Sequence, residues 1–156
     1  MSRFPQKADS HGSLKNLQVA VNVKNQFLDD EISKVVGKKM KIDWKSPLKG
    51  DKYAEYRDEE FLEKLGILSE VKFPLKDFWP NNGPQWDALG VCGNEKDEER
   101  EVILVEAKAN IPEIVSPGSA AKSPKSIKKI KDSLDEVKKY LNINSCIDWT
   151  GTFINT

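Results

Sequence analysis

The chain has 156 residues, enough for one domain with a single sizeable core, and its 25 Lys plus Arg against 25 Asp plus Glu give a formal net charge of zero. With 38% hydrophobic and 32% charged residues, no apolar run near the roughly 20 residues of a membrane span, and a first stretch too polar for a signal peptide, it reads as a soluble cytoplasmic protein with no membrane partner. Two cysteines, Cys92 and Cys146, expected as buried reduced thiols, and one histidine, His11, in the polar stretch 9–13, exclude a disulfide framework, Cys- or His-rich zinc sites and hydrolysis with a His base.

Residues 1–12 read as a disordered tail and 13–156 as one domain. Ser13 can cap a helix over 13–36 whose apolar positions Leu14, Leu17, Val21, Leu28, Ile32 and Val35 repeat at offsets of 3, 4 and 7, with Gly37 as its stop. A loop with Pro47 and Gly50 leads to a second helix over 51–65, in which Ala54, Phe61, Leu62 and Leu65 share a face and Asp58 points into it, flanked by Asp51 and Glu55. A short extended segment spans 67–75, followed by a turn-rich stretch at 79–84. Strand candidates at 85–92 and 101–109 are joined by a polar loop over 93–100. The run Val102-Ile103-Leu104-Val105 is aliphatic on both faces, which predicts a central strand covered on both sides. A Pro-, Ser-, Gly- and Ala-rich loop over 111–122 leads to Ser123-Pro124, a cap with proline at the first helical position. That helix carries Ile127, Ile130, Leu134, Val137 and Leu141 on one stripe. Residues 146–154 read as a last strand, with no closing helix before Thr156, so a longer natural chain stays open.

Chemistry concentrates on Asp87, Glu106 and Lys108. Period two places Val102, Leu104, Glu106 and Lys108 on one face of the third strand, so two charges interrupt an apolar strand end. Buried and unpaired, they would cost several kcal/mol, and so need partners or a ligand. Pairing the two strands about the middle of the polar loop sets Cys92 opposite Glu101 and, continuing, Asp87 opposite Glu106. Directly opposed residues have Cβ atoms about 4.5–5.5 Å apart, and two carboxylates that close repel unless one takes a proton or a cation sits between them. Two carboxylates with the Ala107 backbone carbonyl and water suit Mg²⁺ or Mn²⁺, with Lys108 orienting the attacking water. Glu55 or Asp58 can complete the ligand set. The competing reading is a structural charge network in which Lys108 neutralises one carboxylate.

Asp87, 18 intervening residues and Glu106-Ala107-Lys108 at the end of an apolar strand, together with the order helix, strand, strand, strand, helix, strand from Asp51 onward, resemble the PD-(D/E)xK nuclease superfamily. The resemblance implies an α/β restriction-endonuclease-like domain: a mixed central sheet flanked by helices, here with an extra N-terminal helix. It implies metal on Asp87 and Glu106, water activation by Lys108, a helix glutamate such as Glu55 in the shell, and a cleaved phosphodiester. The family's proline before the acid is replaced by Trp86, with Pro84 upstream, and no Gln-x-x-x-Tyr occurs on the later helix, so no branch is assigned. The expectation is a Mg-dependent nuclease acting on nucleic acid, DNA in the first place, with a homodimer as one arrangement found in the fold. The alternatives are an inactive nucleic-acid-binding or protein-interaction module and a hydrolase of small phosphorylated molecules.

Charge is uneven along the chain. Residues 1–49 carry 10 basic and 5 acidic side chains, 50–109 carry 8 and 15, and 110–156 carry 7 and 5, for net values of +5, −7 and +2. The deficit falls on the stretch holding the candidate site, although part of it is the acidic loop 95–101.

Overall fold

The structure is a computed structural model that describes residues 2–93, 100–116, 118–144, 146–151 and 153–154. The architecture is α/β. Arg3–Phe4 (β1), inside the expected tail, pairs antiparallel with Glu55–Tyr56 (β3). The expected helix over 13–36 is two helices, Gly12–Val23 (α1) and Asn25–Val36 (α2), broken at Lys24 (φ −123°, ψ 32°) and ended by left-handed Gly37. A straight helix of that length would span about 36 Å, twice the length of a five-residue strand, so a break is needed to keep both halves over the sheet. Asn22 fixes the break, its side chain donating to Pro47 O (2.7 Å) and accepting from Lys49 N (2.8 Å). Leu17, Val21, Leu28 and Ile32 then share one core, whereas Val35, placed by spacing on the same stripe, is 90% exposed.

That core lies on a sheet of order β2-β4-β5, with Ile42–Ser46 (β2), Ala88–Cys92 (β4) and Glu101–Val105 (β5), all antiparallel. Strand β2 falls where a loop was expected. Met40, Ile42 and Trp44 alternate with exposed Lys41 and Asp43, the period of a half-buried strand. Buried Asp29 of α2 anchors it, accepting from Trp44 Nε1 (2.9 Å) and Ile42 N (3.1 Å). The expected mixed sheet is therefore antiparallel among the described residues.

The expected helix over 51–65 is also replaced. A 3₁₀ turn at Lys49–Asp51 and left-handed Lys52 and Tyr53 lead into β3, and the helix begins only at Glu59–Leu65 (α3). Asp51 drives this turn: it receives Arg3 (2.6 Å), Lys64 (2.9 Å) and the Tyr56 hydroxyl. Ala54, Leu62 and Leu65 are nevertheless buried, since β3 and α3 cover the other sheet face with Leu89 and Val91. Over 67–75 there is no strand. A 3₁₀ turn at Leu68–Glu70 and the short helix Leu75–Phe78 (α4) occupy the region.

Among the described residues β5 is an edge, not a central strand: Ile103 and Val105 pack on the core, while Val102 and Leu104 are 37% and 41% exposed. The helix Ile111–Ile114 (α5) and Val115–Ser116 (β6) lie in the expected loop over 111–122. As expected, Ser123 caps Pro124–Tyr140 (α6), its side chain accepting from Ser126 N (3.1 Å). Of the last strand candidate, Phe153–Ile154 (β7) pairs with β6 and 148–151 form a turn. Cys92 is half-buried and Cys146 exposed, which corrects the expectation of two buried thiols. Residues 94–99 of the polar loop lie outside the described residues. No described helix is long and apolar enough to cross a membrane.

Candidate functional site

The β4–β5 ladder runs from Ala88↔Val105 to Cys92↔Glu101, the register expected from the loop midpoint. Beyond the last pair the register slips: Asp87 N donates to Val105 O (3.0 Å), the residue already opposite Ala88, so Asp87 lies against the end of β5 and the expected Asp87–Glu106 ladder pair does not form among the described residues. Here Asp87 does the work of a ladder residue with its side chain: Oδ2 accepts from Ala107 N (2.7 Å) and satisfies a backbone donor beyond the last strand pair. Glu106 is exposed and paired with the Lys108 ammonium. The two carboxylates thus lie at one strand end, each already engaged.

Glu55 reaches the same place by a different route from the one expected. It is a residue of β3, not of a helix, and is 4% exposed. A bridge between Tyr56 and Trp86, with Trp86 N donating to Tyr56 O (3.1 Å), ties β3 to the segment leading into β4. The Gln85 amide then donates to Glu55 Oε2, and the Gln6 amide donates to the same oxygen (3.0 Å). Asp58 is not part of this group. With α3 starting at Glu59, the helical spacing that would link it to Glu55 does not exist. Asp58 instead accepts from Gly83 N (3.0 Å) and pairs with Arg57 (3.5 Å), holding the loop around 81–83.

The electrostatics mark an acidic cluster short of positive charge. Burial pushes the Glu55 carboxyl up, with Asp87 and Glu106 adding repulsion against the lowering effect of the Gln85 and Gln6 amides. Burial likewise raises Asp87; Glu106 and Glu113 add to the rise, and Ala107 N and Lys108 oppose it. Lys108 is held more firmly protonated, chiefly by its hydrogen bond to Glu106.

Three contributors were not anticipated. Glu113 accepts from Ala109 N (3.0 Å) and from the Asn110 amide, and its carboxyl is held low chiefly by the Ala109 bond. The Asn110-x-x-Glu113 spacing, with Asn110 accepting from Glu113 N, is a capping box that could have located it. Gln85 lies one pleat before Asp87. Gln6 had no signal, being a polar residue in a polar stretch.

Glu55, Asp87, Glu106 and the Ala107 carbonyl are all hard oxygen donors, and two repelling acids of raised pKa are an imbalance that a hard divalent cation relieves, so the donor set fits Mg²⁺ or Mn²⁺. Among the described residues no three Asp, Glu, His or Cys side chains form a ready-made metal cage. Lys108 holds Glu106, Ala107 N holds Asp87 and two amides hold Glu55, so a cation would compete with these bonds. Compared with protein-family models, curated proteins and solved structures, the chain matches none.

Proposed function

We propose that the chain is a metal-dependent nuclease that hydrolyses DNA phosphodiester bonds on a restriction-endonuclease-like core. The observation that carries the reading is the bond from Ala107 N to the Asp87 carboxylate (2.7 Å) at the end of the β4–β5 ladder, which brings Asp87 to the Glu106-Ala107-Lys108 segment. The α/β architecture is compatible with it, although the order expected from Asp51 onward changes: the 51–65 helix is replaced by a 3₁₀ turn, β3 and α3, and β7 pairs with β6 outside the β2-β4-β5 sheet.

Asp87, Glu106, the Ala107 carbonyl and Glu55 would hold the cation, which when bound supplies Lewis-acid stabilisation of a phosphate oxygen and a more acidic water. Lys108, protonated beside Glu106, is the one cation in this group. Its Nζ can orient the attacking water and then face the charge that builds on the phosphate. Asp87 holds the 106–108 segment through Ala107 N, so its loss would remove both a ligand and an anchor of the segment that carries Lys108.

Purified protein with Mg²⁺ or Mn²⁺ is expected to cut at least one of single-stranded, duplex or branched DNA, with Asp87→Ala and Lys108→Ala each lowering the rate by about 10²–10³-fold. No cleavage of these substrates or of RNA, together with unchanged metal affinity in Asp87→Ala, would defeat the reading. The closed Lys108–Glu106 pair favours a second one, an inactive binding module on the same fold, which would show nucleic-acid or protein binding with no metal-dependent hydrolysis.

A further inference from the structure

We infer that Gln85 and Gln6 are positioning residues that hold Glu55 as the third acid of the site, through amide donors that converge on its Oε2. The inference rests on the metal-dependent reading of Asp87 and Glu106. Its basis is geometric. Glu55 is almost fully buried, and both amides meet the same carboxylate oxygen from segments 49 and 30 residues away. With Oε2 engaged twice, Oε1 is the oxygen that would be left to a cation, the arrangement by which outer partners orient a ligand.

The chemistry of the donors separates this acid from a structural one. Asp51, four residues earlier, is held by Arg3 and Lys64, which cancel its charge where it stands. Glu55 receives two neutral amides, which fix the carboxylate while leaving its full negative charge to attract something else. Both amides are themselves secured. Gln85 follows from the Tyr56–Trp86 bridge, and Gln6 from the pairing of Arg3 with Tyr56 and Phe4 with Glu55 and from Gln6 N donating to Lys52 O (3.0 Å). The N-terminal segment is therefore a strap whose last contact is with a site carboxylate.

The test measures Mn²⁺ affinity, by the EPR signal of free Mn²⁺, on wild type, Gln85→Met, Gln6→Met, Glu55→Gln, the Gln85→Met/Glu55→Gln double variant and Asp87→Ala, with thermal unfolding of each. Methionine keeps length and volume and removes the donor. Each Met variant is expected to stay folded and to weaken Mn²⁺ binding about 10-fold, the lower end of the loss on removing an outer-shell partner. In the Glu55→Gln background Gln85→Met should cost nothing more, because both changes act through one carboxylate. Unchanged affinity in the Met variants, or losses that simply add, overturns the inference, and the metal-dependent reading then still stands if Asp87→Ala abolishes binding. A wild type that binds no Mn²⁺ overturns both. Should Gln85→Met fail to fold, Gln6→Met, at a half-exposed position outside the sheet, carries the same decision.

Discussion

Asp51 and Glu55 lie four residues apart and meet opposite electrostatic fates. Burial works against ionisation of Asp51, but hydrogen bonds from Tyr56, Lys64 and Arg3 outweigh it and hold the carboxyl well below its ordinary range. Its contribution to stability is present above the unfolded value of about 3.9 and fades as pH falls toward the folded one. Glu55 is raised, so the sign reverses: both states are protonated at low pH, the unfolded chain ionises first as pH climbs past about 4.3, and stability is lost until the folded group ionises too. At pH 7 without divalent cations, Glu55→Gln should therefore stabilise the fold, raising Tm by about 2–4 °C for each kcal/mol of strain relieved at this chain length. The gain should vanish near pH 4, where the wild-type group is itself neutral. Thermal melts of both proteins across pH 4–8 check this. An equal or lower Tm for the variant at pH 7 would mean that the amides compensate Glu55 completely.

The sheet is closed most tightly where β2 meets β4. Gly90 stands opposite Trp44, and a Cβ there would lie 2.5 Å from Ile42 Cγ2 and 3.3 Å from Trp44 Cε3. Ile42 is stiff at χ1 and Trp44 is pinned through its indole to Asp29, so neither can step aside cheaply. Gly90→Ala is expected to destabilise by about 1–3 kcal/mol in urea titrations, the usual cost of overpacking, and a change below 0.5 kcal/mol would show that the interface yields. The β4–β5 pair was legible in the sequence because a polar loop between two aliphatic runs fixes a hairpin register by its midpoint, whereas the same count carried on to Asp87 and Glu106 runs past the last pair, Ala88 with Val105, where the bond of Asp87 N to Val105 O slips the register. Strand β2 was legible too, in the alternation from Met40 to Trp44, but Pro47 and Gly50 nearby drew the segment into a loop. The segment 51–58 was not. Ala54, Leu62 and Leu65 are buried as a helical stripe requires, and only long-range partners, Arg3 and Lys64 on Asp51, decide that the chain turns there and makes a strand. The same long-range pairing brings Glu55 to Gln85 and Gln6 and leaves Asp58 on the loop around 81–83. The central place given to β5 failed because a run aliphatic on both faces does not say whether both faces find cover.

A neutral chain is an unusual partner for a polyanion, since a basic surface is the common footprint of nucleic-acid binding. The lysines of α6 do not supply one simply by being numerous: Lys128 is paired with Asp132 (2.6 Å), and Lys129 donates to Lys76 O (2.7 Å). Most of the candidate site lies within the segment of net charge −7, so bare protein should repel a phosphate at the place where the proposed reaction needs one. On the proposed reading a divalent cation would offset the charge of the Asp87 and Glu106 carboxylates, while the +5 and +2 flanks are left to meet neighbouring phosphates. Two kinds of binder then respond oppositely to the same ion. A protein that binds DNA through a basic surface loses affinity as Mg²⁺ is added, because the ion competes for the phosphates. This chain should gain it. In fluorescence anisotropy with labelled duplex DNA at fixed ionic strength, binding is expected to be negligible in EDTA, to appear with Ca²⁺ used to hold the complex without turnover, and to disappear in Asp87→Ala. The salt dependence should be shallow, a slope set by about one to three phosphate contacts at roughly 0.9 per contact. Tight binding in EDTA with a steep slope would place the nucleic-acid contact on the basic flanks alone and remove the metal from recognition.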